Sequence, residues 1–155
     1  MTETLLHSQA EIVRQLMIDL ALGTSASAWP VYFSNEPATP DDCLTVYNKV
    51  GVQHGRTHDD GVTQEHHGIQ VRVRAMLHVD GYIKAKAVVD AFDQSVNNTL
   101  VTITDNTSRI TDYIIHAITR QNDVFSLGYE SPTSRRRLFT VNAVVSIRLL
   151  STIGT

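Results

Sequence analysis

Apolar side chains recur along this chain with two periods, and the periods alone divide it into helices and strands. Leu6, Ala10, Val13, Met17 and Leu20 are separated by alternating steps of four and three residues, which lines one face of a helix. The spacing predicts a first helix over about 4–22, with Thr2 or Thr4 as its N-cap and Gly23 as its left-handed stop. Tyr82, Ala85, Val89, Phe92 and Val96 repeat the same steps, predicting a second helix capped by Asp80, closed by Asn97-Asn98 and bearing Lys84 and Lys86 on its other face.

Between the helices the period shortens to two. Ile69, Val71, Val73, Ala75 and Leu77 alternate with Gln70, Arg72, Arg74, Met76 and His78, a strand whose polar face carries two arginines. Upstream, Val31-Tyr32-Phe33 and Cys43 to Asn48 are β-rich runs able to pair across a loop containing Pro37 and Pro40. Downstream come Leu100 to Thr104, Arg109 to Thr119, Val124 to Tyr129 and a long terminal strand with Phe139, Val141, Ala143, Val145, Ile147 and Leu149 on one face. Residues 51–68 follow neither period and, with four glycines and four histidines, read as a long exposed loop. The order α, β, β, β, α, β, β, β, β contains no repeated βαβ unit, so the expected fold class is α+β: a largely antiparallel sheet with two helices packed on one face.

Length and charge refine this picture. A chain of 155 residues fits one domain spanning 1–155. Net charge is −3, without the basic excess of a general nucleic-acid binder. The distribution is uneven: residues 1–65 hold nine acids and three bases, residues 66–155 seven acids and ten bases. Cys43 is the single cysteine, which excludes an intrachain disulfide and a cysteine-rich zinc site and fits a reducing compartment. Neither a signal peptide nor an apolar run of membrane-spanning length is visible, so no membrane partner is expected.

Candidate chemistry is sparse. The sequence has no phosphate-cradling Gly-Lys-Ser/Thr loop, dinucleotide fingerprint, Gly-x-Ser-x-Gly elbow or His-Glu-x-x-His helix. His54, His58, Asp59 and His66 are ligand types that a borderline divalent metal accepts, which leaves a small metal-dependent hydrolase as an alternative. Their spacing argues against it: Gly51, Gly55 and Gly61 oppose the helix that would bring His54 and His58 together, so a solvated or assembly-contacting loop is the preferred reading and no metal or cofactor is expected. Arg135, Arg136 and Arg137 can clamp an acidic neighbour or phosphates, or form a solubilising loop tip. Arg72 and Arg74 share one strand face, expected to be exposed or interfacial, since cover over that face would require acidic partners.

The stretch Gly68-Ile69-Gln70-Val71-Arg72-Val73-Arg74-Ala75, followed by the helix from Tyr82 through Lys84-Ala85-Lys86-Ala87 to Phe92, resembles the tail terminator proteins of long-tailed bacteriophages, also called tail completion or minor tail proteins. The resemblance extends through nearly the whole chain in element order. It implies a structural virion protein without catalysis, assembled in the host cytoplasm, that forms a homo-oligomeric ring, usually a hexamer. Such a ring docks on the last ring of the tail tube protein, stops tube polymerisation and presents a surface to the head connector. A related head-to-tail joining (neck) protein is the alternative. An acidic lumen would let DNA pass without sequence-specific binding. Interface candidates are Arg72, Arg74, Arg135, Arg136, Arg137, His54, His58 and His66.

Overall fold

The computed structural model describes residues 5–25, 28–56 and 63–153, with side chains described at all of these but 51–56, 63–65 and 153. Its element order is the expected one: α1 (Gln9–Asp19), β1 (Val31–Phe33), β2 (Cys43–Arg56), β3 (Thr63–Ala75), α2 (His78–Gln94), β4 (Thr99–Thr104), β5 (Ile110–Arg120), β6 (Phe125–Tyr129) and β7 (Arg137–Ile153). The strands form one curled, mostly antiparallel sheet ordered β1-β2-β3-β7-β5-β4, with β6 also on β7. The two upstream runs do pair, β1 lying parallel to β2 with Val31 opposite Leu44.

Pairing across β2, β3 and β7 fixes two faces. Leu44, Val73 and Phe139 form one rung and Val46, Val71 and Val141 the next, all on the same side. The intervening rungs, Cys43-Arg74-Leu138 and Thr45-Arg72-Thr140, point the other way. Leu44, Val46, Val71, Val73 and Phe139 join Ala10, Val13 and Met17 of α1 and Ala85, Val88 and Phe92 of α2 in one buried cluster. Removing this apolar surface from water is the main force holding the helices to the sheet.

Helix boundaries differ from expectation for reasons visible in the caps. α1 starts at Gln9 because Ser8 is its N-cap, accepting the Glu11 N–H at 3.3 Å, and its first amides find further acceptors. Asn48 Oδ1 takes the Ala10 N–H at 3.0 Å, while the buried Tyr113 hydroxyl accepts from the amides of Leu6 and His7 at 3.1 and 3.0 Å. Ala21, at φ 59°, takes the left-handed position after the helix in place of Gly23. Asp80 is in the first turn of α2 and not at its cap, which is Leu77 with no side-chain hydrogen bond. Its carboxylate still suits the positive end of the helix dipole.

The largest departure is at residues 51–68. Where a long exposed loop was expected, β2 and β3 continue as an antiparallel hairpin, pairing Val52 with His66 and Arg56 with Thr63. Irregularities between Lys49 and Val52 and between Gln53 and Gly55 interrupt the alternation. Gly68 belongs to the first bulge: a Cβ there would lie 2.3 Å from the Val50 carbonyl oxygen.

β7 changes neighbours along its length. Residues 137–145 pair with β3, 137–140 with β6 on the opposite side, and 143–153 with β5. From residue 146 onward it has no partner on the side of β3 among the described residues.

Candidate functional site

The two arginines of β3 part company. Arg74 is 2% exposed, whereas Arg72 is half-buried with its guanidinium 5.2 Å from the centre of the Tyr47 ring. The face expected to be open is covered at this end by residues 36–41 and by the turn between β6 and β7, which bring the carboxylates a buried guanidinium requires. Arg74 Nη1 is 3.5 Å from both Glu36 Oε1 and Glu130 Oε2, and its Nη2 and Nε donate to the carbonyls of Pro40 and Asp41 at 2.7 and 3.3 Å. Arg74 is thus spent inside its own chain: at this residue the preferred reading of an exposed or interfacial face gives way to the alternative in which acidic partners cover it.

The same carboxylates divide the arginine run. Arg136 donates to Glu130 at 2.7 Å, contacts Asp41 at 3.7 Å and donates to the Ala38 carbonyl. Arg137 stacks 5.0 Å from the Tyr129 ring centre and donates to its hydroxyl at 3.1 Å. Arg135 is exposed and makes no ion pair among the described residues. The run is neither a uniform clamp nor a loop tip: one residue locks the 36–41 segment, one braces β6, and one faces solvent.

This network joins the acidic first part of the sequence to its basic second part, so the charge asymmetry of the chain is partly cancelled in space. Burial raises the Glu36 pKa, opposed by Arg74, Arg72 and Arg136 and reinforced by Glu130. Burial also pushes the Cys43 thiol, on the same face, up to about 11, so it stays protonated and unreactive at neutral pH.

His58, Asp59 and Asp60 lie outside the described residues, and His54 is placed only by its backbone, within the second bulge. His66 is on β3 opposite Val52. Among the described residues no group of three or more His, Cys, Asp or Glu side chains is arranged to hold a metal ion. His116, on β5, pairs its Nδ1 with Asn98 Oδ1 at 2.7 Å.

Sequence reading missed the surface where β3 ends. Met76 and Leu77, taken as continuing the strand, instead turn into α2 and remain exposed with Val79, Tyr82 and Ile83. The signal was present: Val79 and Ile83 lie off the helical stripe that predicts burial. β6 is likewise exposed along its length, including Phe125, Leu127 and Tyr129.

Family comparison decides among the readings that this geometry leaves. The model for the bacteriophage tail terminator protein matches residues 15–123, from within α1 into the β5–β6 connection. The chain belongs to the bacteriophage tail terminator family. Members of this family are structural components of the phage tail, and with them this chain is a virion protein that engages other tail components. None of the curated proteins matches the sequence. Several solved structures are similar; one of them, at 16% identity, matches over 92% of this chain and 93% of its own, with a TM-score of 0.45. No described helix is long and apolar enough to cross a membrane.

Proposed function

We infer that copies of this chain close into a ring, of six in the usual family arrangement, at the head-proximal end of the tail tube. The ring ends tube polymerisation and offers its far surface to the head connector, and DNA passes through a lumen that binds no particular sequence. The observation that carries this reading is the family match over residues 15–123, from within α1 through β2, β3 and α2 to β5. Its physical support is a subunit with open surfaces: an exposed apolar corner, an exposed β6 and a length of β7 that is unpaired on one side among the described residues. Arg135 and His66 remain candidates for contacts between subunits or with tail proteins, and both helices sharing one buried cluster suits a sheet with helices on one face. Catalysis has no part in this role.

Mass measurement of the purified protein over a concentration series, combined with microscopy of tails assembled with and without it, tests the proposal. Closed rings and tails of uniform length are expected. A strict monomer at high concentration, together with unchanged tail length when it is omitted, would sink it.

A further inference from the structure

Met76, Leu77, Val79, Tyr82 and Ile83 crowd the corner between β3 and α2, each between 39% and 64% exposed. Single exposed apolar residues are ordinary, but five large ones within eight positions form a surface that excludes water only when something covers it. Beside it lies a cleft of about 400 Å³, lined by Trp29, Pro40, Met76 and Leu77 together with Asp41, Asp42 and Asp80. An apolar floor with a carboxylate rim suits a cation flanked by apolar side chains.

Most cations of this chain are already engaged. Arg74 and Arg136 hold Glu36, Glu130 and Asp41; Arg109 holds Asp105; Arg120 holds Asp93 and Asp123; Lys84 donates to the Leu22 carbonyl. Arg14 donates to the Val31 carbonyl, Lys49 to Gln121 and Arg137 to Tyr129, and Arg72 lies over the Tyr47 ring, whereas Lys86, Arg135 and Arg148 are exposed with neither a hydrogen bond nor an ion pair from the side chain among the described residues. Lys86 is on α2 itself, and Arg135 precedes the residue that reaches Asp41, so both sit on the corner's own side. Arg148 does not. β7 leaves the corner at Arg137, opposite Ala75, and reaches Arg148 after about 36 Å of strand at ~3.3 Å per residue. There Arg148 stands beside the exposed Leu150, on the stretch of β7 whose second edge has no partner among the described residues.

We propose that the apolar corner of one copy receives the Arg148 segment of a second copy, with Arg148 against Asp80 and the cleft carboxylates and Leu150 on the Leu77–Ile83 surface. The contact rests on the ring reading and deepens it. It supplies two different, complementary surfaces at opposite ends of the sheet, as head-to-tail association requires.

Charge-reversal variants Asp80→Lys and Arg148→Glu test the contact by sedimentation, with circular dichroism confirming the fold. Each variant alone should self-associate at least tenfold more weakly than the unaltered protein, and mixing the two should restore assembly, because every contact in the mixture can again pair opposite charges. Rings that persist in both variants, or a mixture that stays dissociated, would overturn the contact while leaving the ring intact as a reading. Normal rings from Asp80→Lys that no longer join tails would assign the corner to a different protein and overturn it equally. If the unaltered chain never associates, the ring reading itself fails.

Discussion

Arg74 Nη1 and Glu36 Oε1, 38 positions apart in sequence, stand 3.5 Å from each other with the arginine almost wholly buried. The pair and its neighbour Glu130 fasten the 36–41 segment across the polar face of the sheet. Replacing Arg74 with Met should cost about 3–5 kcal/mol, because two carboxylates lose their cation in a partly dry site. Urea unfolding checks this, and a loss below about 1 kcal/mol would show that the network contributes little.

Arg135, Arg136 and Arg137 should separate cleanly when changed to Ser one at a time. Arg136→Ser removes the closer of the two cations that hold Glu130 and should lower stability by about 1–3 kcal/mol, whereas Arg135→Ser should stay within about 0.5 kcal/mol. Melting temperatures decide it; equal effects at the two positions would contradict their different environments.

Gly81→Ala sets two effects against each other. Alanine gains about 1 kcal/mol of helix propensity, but its Cβ would lie 2.6 Å from Phe139 Cε2 and 3.1 Å from Ala75 Cβ. Overpacking of this kind costs about 1–3 kcal/mol, so the variant should be less stable. A higher melting temperature would mean that the α2–β7 contact has slack.

Acid stability should carry a signature of Asp105. Its carboxylate accepts from the Thr107 hydroxyl at 2.6 Å, the Thr107 and Arg109 amides at 3.0 and 3.1 Å and Arg109 Nε at 2.9 Å, and these bonds hold its pKa down to about 2. A carboxyl whose folded pKa is depressed contributes stability above its unfolded value, 3.8, and loses it as pH falls toward about 2. Asp105→Asn should therefore flatten the stability profile across that window. Glu36, whose pKa is raised, acts in the opposite sense: its contribution is greatest below 4.5 and declines as pH rises through its folded value, so Glu36→Gln should remove that decline.

The elements that could be read in sequence are those with an uninterrupted period. Ala10, Val13 and Met17, or Val71 and Val73, announce their burial because each helix or strand repeats its own face. The outer hairpin was hidden because its bulges shift register twice and because Gly51, Gly55 and Gly68 imitate a loop, although Gly68 is there to clear the Val50 carbonyl. Arg74 misled for another reason: its partners Glu36 and Glu130 lie far away on both sides in sequence, and no local pattern records such pairing. The Met76–Ile83 corner was blurred by alternation running on for three residues past the end of β3.

The exchange of neighbours along β7 also dictates when this molecule can come into being. β3 and β5 do not touch as paired strands; each is hydrogen-bonded to β7, the last strand in chain order. A nascent chain emerging from the ribosome can build the β2–β3 and β4–β5 hairpins early, yet no strand pairing joins these two parts of the sheet until residues 137–153 arrive. Until that moment the apolar edges of β3 and β5 are open to unrelated strands, so the interval between the completion of β5 and the arrival of β7 is the period of greatest exposure to misassembly.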